Sequence, residues 1–298
     1  MTKPFSLTAF ARFLPLLVVV STCLVSCSTE KLQHVTAPKG VEFIDNGKSL
    51  VQGLAACGFC HGQTPLPDAP LSGGHPYRDL YGETTVPNIT PDKDALDLWN
   101  TDQLLSYFRY GHNRDGAEVS QIPHRGMEWM ADDDLLSIVA FLRSLPGVKT
   151  DSTHAEELTF LDRNTSGFFQ GRREVTGFVP SIPKKAGLIY GQYLVENVAL
   201  CGRCHDSPDS LLSSGDVLSG GQMIVNEYGE KEAPSIVGSN AEGLGSWNEE
   251  QIIAYLQTGK RPSREAADPH FCPIGFYRNA PVQDLRSIAV YLKSIVIE

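Results

Sequence analysis

Two copies of one five-residue string carry the chemistry of this chain: Cys57-Gly58-Phe59-Cys60-His61 and Cys201-Gly202-Arg203-Cys204-His205. Two cysteines three positions apart lie on one side of a helical turn, where their sulfurs can meet the two vinyl groups of one porphyrin. The histidine that follows points its imidazole at the iron as proximal ligand. Cys-x-x-Cys-His is accordingly the attachment signature of covalently bound haem. A bare Cys-x-x-Cys also serves zinc sites and thiol exchange. Here both copies carry the trailing histidine, and a zinc ribbon would bring its second cysteine pair much closer. The reading is two covalent haems, one on Cys57, Cys60 and His61, the other on Cys201, Cys204 and His205, and redox work.

The segments that must position these residues come twice. Gly47 to Val51 precedes the first string as Gly191 to Val195 precedes the second. Leu-Ser-Gly-Gly follows each, at Leu71 to Gly74 and Leu218 to Gly221. Then come Val86-Pro87-Asn88-Ile89 and Ala233-Pro234-Ser235-Ile236. Trp99 matches Trp247, each leading an apolar stretch that ends in glycine: Asp102 to Tyr110 before Gly111, Glu249 to Thr258 before Gly259. Each half closes with a longer helix, Asp134 to Ser144 and Asp284 to Ser294, with apolar residues at spacings of three and four. Thr101 and Asn248 occupy N-cap positions and the glycines occupy C-terminal stops. No long period-two run appears, so the expected fold is all-α. Each half is small enough that the haem itself fills much of its core.

On these strings, loops and helices the chain resembles bacterial dihaem cytochromes c built from two class I domains. It is similar both to thiosulfate-oxidising dihaem cytochromes and to the cytochrome subunits of alcohol dehydrogenases. The resemblance covers about residues 40–148 and 184–298. It implies tandem class I domains, each a small helical domain around one covalently bound haem. The expected boundaries are a signal peptide 1–26, an N-terminal tether 27–40, domain 1 at 41–148, a linker 149–183 and domain 2 at 184–298.

The family also implies a methionine as second axial ligand, from a Met-Pro dipeptide before the last helix. Here that dipeptide reads Ile122-Pro123 in the first half and Cys272-Pro273 in the second. Isoleucine cannot bind iron. For haem 1 the candidates are Met127, His124, Met130 or no protein ligand at all. Met127 reaches the iron only if its loop shifts by a helical turn; His124 would make a bis-histidine iron of lower potential. For haem 2, Cys272 stands in the ligand position, with His270 or an open iron as alternatives. His/Cys ligation occurs in the thiosulfate-oxidising family, which makes Cys272 a candidate catalytic residue. His75, His112 and His154 read as loop histidines. Arg78, Arg109 and Arg261 are possible partners of haem propionates.

The N-terminus has Lys3, Arg12, an apolar run from Phe13 to Val20, and then Leu24-Val25-Ser26-Cys27. That run is a signal-peptide pattern, too short for a transmembrane helix. Its end resembles a bacterial lipobox, with cleavage before Cys27 and lipid on that cysteine. Of seven cysteines, Cys23 leaves with the signal, Cys27 takes the lipid and four bind haem, so Cys272 alone remains as a free thiol. The expected address is the periplasm of a Gram-negative bacterium, lipid-anchored at the outer membrane. The net charge of −10 argues against nucleic-acid binding. The function read from the sequence is electron transfer between periplasmic donor and acceptor proteins, with lipid on Cys27 holding the chain at a membrane. One alternative is an oxidoreductase of thiosulfate dehydrogenase type, acting at haem 2 through Cys272. Another is diatomic-gas binding at an open iron.

Overall fold

Helix starts and stops follow the same local chemistry in both halves. In the computed structural model, helix α3 (Thr101–Tyr110) is capped by Asn100 and helix α7 (Glu249–Thr258) by Asn248. Each asparagine accepts from the backbone N–H three residues on, and the glutamine there, Gln103 or Gln251, accepts from the cap's own N–H. The first cap is thus Asn100, one residue before the expected Thr101. Both helices stop at a left-handed glycine, Gly111 with φ 66° and Gly259 with φ 69°.

The structure describes residues 36–79, 81–150, 159, 175, 177–185, 187–208, 215–241 and 243–297. The signal segment, Cys27, His154 and most of the 149–183 linker lie outside them. Around α3 the first half places α1 (Val41–Val51), the short α2 (Gly58–His61) and the closing α4 (Asp132–Ser144). Around α7 the second half places α5 (Leu188–Tyr193), extended by a π-helical turn Leu194–Val198, the short α6 (Gly202–His205), α8 (Ile274–Tyr277) and the closing α9 (Val282–Ser294).

The all-α expectation is corrected by two antiparallel hairpins, one in each half. Strand β1 (Pro76–Asp79) pairs with β2 (Gly82–Thr85), and β3 (Met223–Asn226) pairs with β4 (Gly229–Glu232). Each strand has four residues, and β4 is exposed along its whole length. No described strand residue is fully buried, and the alternation of half-buried and exposed positions along β1 and β3 is too short and too shallow to leave a period-two apolar signal.

The first and last helices of each half cross at a glycine. A Cβ on Gly47 would overlap the carbonyl of Ser137, and one on Gly191 the carbonyl of Ser287. The next contacts, Phe141 and Tyr291, also correspond. A single core cluster then runs through both halves, from Val51, Leu135 and Ile138 to Leu194, Leu285 and Ile288, all nearly inaccessible. Across the junction the Tyr193 hydroxyl donates to Asp134 at 2.6 Å and accepts from the Ala131 N–H at 3.1 Å.

Candidate functional site

Each five-residue string folds as one helical turn, with its first cysteine as N-cap (Cys57 before α2, Cys201 before α6). Five described cysteines, Cys57, Cys60, Cys201, Cys204 and Cys272, are free and half-buried. Burial first, then the neighbouring cysteine (Cys60, Cys272), pushes the Cys57 and Cys201 thiols up to about 12, so both are protonated at neutral pH.

The histidine of each string is oriented by a proline. His61 Nδ1 donates to the carbonyl of Pro87 at 2.8 Å, and His205 Nδ1 to that of Pro234 at 2.7 Å. A carbonyl only accepts, so the hydrogen sits on Nδ1 and the Nε2 lone pair is left for a metal. The Leu-Ser-Gly-Gly loops hold this pairing in place. Gly73 N–H binds the His61 carbonyl at 2.8 Å and Gly220 N–H that of His205 at 2.7 Å. Both glycines have positive φ, and a Cβ on Gly73 would strike the Val86–Pro87 backbone, one on Gly220 that of Pro234–Ser235. Glycine is needed because three backbone segments meet there. Paired free thiols and a histidine with its outer nitrogen free form the donor set that covalent haem requires, so the residues fit the group.

On the distal side of the first site, Ile122–His124 forms a single 3-10 turn. His124 lies with its ring centroid 6.1 Å from that of His61, the planes 22° apart. Its Nδ1 is 3.1 Å from the Tyr107 hydroxyl, and Tyr107 and Phe108 meet the ring edge-on. Burial, then the nearby His61 and Arg203, pushes His124 down to about 3, so its imidazole is neutral. Burial also lowers His61. Met127 and Met130 are core residues, 4 % and 0 % exposed.

In the second site Cys272 lies near Cys201 and Cys204. Burial first, then Cys204, pushes its thiol up to about 12. His270 stacks on Tyr228 at 3.8 Å, with its Nδ1 buried and without a hydrogen-bond partner.

The arginines named from sequence have protein partners: Arg78 with Glu83, Arg261 with Glu265, and buried Arg109 with Asp132. His75 binds the Gly62 carbonyl at 2.8 Å and His112 contacts Ser106. Sequence reasoning missed Tyr107 and Arg203. Tyr107 lies mid-helix among apolar residues, and Arg203 fills an unconstrained position of the second string. Arg203 reaches the first site, where it donates to the Pro123 carbonyl at 3.1 Å. Phe276, from α8, packs on Gly58 of the first string, so that a Cβ there would lie 3.1 Å from its ring.

No protein-family model matches the chain. Among curated proteins it is similar to "Diheme cytochrome c-type" of Cereibacter sphaeroides, 30 % identical over 258 residues that make up 80 % of this chain and 81 % of that protein. The chain belongs to the c-type cytochromes. This cytochrome is also 28 % identical over 253 residues to the fructose dehydrogenase cytochrome subunit of Gluconobacter japonicus. With the cytochrome c subunit of the quinone alcohol dehydrogenase of Gluconobacter oxydans it shares 27 % over 261 residues. Each match takes in 81 % of this chain, which spans about half of either subunit, 50 % and 52 %. Covalently bound haem follows from membership of the family, and relatives of this kind are periplasmic or membrane-associated. Among the described residues no helix is long and apolar enough to cross a membrane.

Proposed function

We propose that this cytochrome carries two covalent haems and passes single electrons from a periplasmic dehydrogenase to a second redox protein. The observation that carries the reading is the repeated pairing of a string histidine with a proline carbonyl, His61 with Pro87 and His205 with Pro234. When bound, haem supplies the one-electron iron couple. The chain's own residues do the rest. Cys57, Cys60, Cys201 and Cys204 hold the porphyrins, and His61 and His205 present fixed Nε2 atoms. Burial shields the His61 ring from water. Arg203 and Phe276 bring the two sites side by side, which favours electron passage between them.

The reading includes two haem domains, 41–148 and 184–298, joined by 149–183. It also includes removal of residues 1–26, a lipid on Cys27 and an outer-membrane location. The dehydrogenase partner is taken from the names of the relatives. Haem staining after denaturing electrophoresis, with haem quantified per chain, tests it. Two haems per chain are expected; no stain from a chain matured with haem-attachment machinery would sink it.

A second reading rests on Cys272, a free thiol beside Cys201 and Cys204. Cys272 would ligate the second iron, and a small sulfur compound such as thiosulfate would be oxidised there, its electrons passing to the second haem and leaving through the first. Replacing it, Cys272→Met, should abolish thiosulfate-dependent reduction while both haems stay attached; unchanged turnover removes the role.

A further inference from the structure

We propose that His124 is the second axial ligand of the iron held by Cys57, Cys60 and His61, so that this centre has two imidazoles. The inference rests on the covalent-haem reading above. Its ground is the relation of two rings, 6.1 Å between centroids and 22° between planes. One metal bonded at about 2 Å to an imidazole nitrogen on either side sets the ring centroids roughly 6 Å apart. The hydrogen bonds agree with that placement. His61 gives its Nδ1 hydrogen to Pro87, and His124 has Nδ1 against the Tyr107 hydroxyl, which leaves Nε2 of both rings for the metal.

The backbone fixes the second ring as well. Ile122, Pro123 and His124 share one 3-10 turn, whose Pro123 carbonyl is bound by Arg203. Phe108 and Tyr107 close on the His124 ring from α3, at 6.0 and 5.5 Å. Met127 is drawn elsewhere. It packs in the core, and Arg109 donates to the carbonyl of Glu128 beside it. The ligand therefore moves from the residue before the proline to the residue after it, and Tyr107 is its positioning residue.

The test is electron paramagnetic resonance of the full-length oxidised protein, compared with His124→Ala, His124→Met and Met127→Leu. Wild type should give a low-spin signal with three resolved g values, as near-parallel imidazole planes produce, and Met127→Leu should leave it unchanged. In His124→Ala that signal should give way to high-spin iron, with one additional haem binding carbon monoxide when reduced. His124→Met should restore a low-spin centre at higher potential. A sulfur-to-iron charge-transfer band in wild type that Met127→Leu removes would overturn the ligand, as would a His124→Ala spectrum identical to wild type. If His124→Ala does not accumulate, the wild-type and Met127→Leu spectra decide the question. A chain that takes up no covalent haem overturns the proposed function; a haem-loaded chain with the overturning spectra overturns His124 alone.

Discussion

Arg203 Nη1 donates a hydrogen bond to the carbonyl oxygen of Pro123 at 3.1 Å. Arg203 belongs by sequence to the second cysteine string, and Pro123 sits between Ile122 and His124 of the first half. One guanidinium thus serves a site that its own string does not form. A positive charge beside an iron favours the ferrous over the ferric state.

Arg203→Gln should therefore lower the midpoint potential of the first centre. Arg203 is exposed and partly screened by solvent, so the expected drop is about 20–50 mV. Arg203→Lys, which keeps the charge, should recover most of it. Potentiometric titration followed by optical spectra reads both. A drop confined to the second centre would contradict the geometry.

Gly47 and Gly191 set the closest approach of the first and last helices in their halves. Gly47→Ala and Gly191→Ala each force a methyl into a backbone carbonyl, and overpacking of this kind costs about 1–3 kcal/mol. Urea unfolding should show lower midpoints with unchanged slopes. The two losses should be similar, because Ser137 and Ser287 stand in equivalent places.

Tyr193 joins the halves through one hydroxyl. Tyr193→Phe leaves the Asp134 carboxylate and the buried Ala131 N–H each short of a partner, at a cost of about 1–3 kcal/mol. Asp134 retains Asn46 at 2.9 Å, so the effect should stop short of unfolding the chain. Chemical denaturation of the haem-loaded protein measures it, and a neutral result would mean that the junction does not depend on this bond.

Much of the helical plan was readable because each signal came twice. Glu249–Thr258 ends as the sequence has it, and the closing helices differ from expectation by two residues at their starts. The first N-cap was misread because Asn100 and Thr101 are both good caps, and only the geometry of Gln103 separates them. The hairpins left no trace, since four-residue strands whose described residues are at most half-buried need no strong apolar pattern. Cys272 and His124 could be named as candidates, but sequence could not choose between His124 and Met127. That choice depends on how two adjacent 3-10 turns, Ile122–His124 and Met127–Trp129, are folded in the loop, and spacing does not encode it.

The loops beyond the two prolines cross over. Gly126, past Pro123, packs on the backbone of Glu196, and its carbonyl accepts from Asn197, just ahead of the second string. Phe276, past Pro273, lies on Gly58 of the first string, and Asn279 donates to the Gln52 carbonyl at 2.9 Å. Each cysteine turn is thereby walled by its sister half. A half cut out and grafted elsewhere would carry its two string cysteines and its string histidine but arrive with one side of its pocket missing, so any transplant of the unit has to move both halves together.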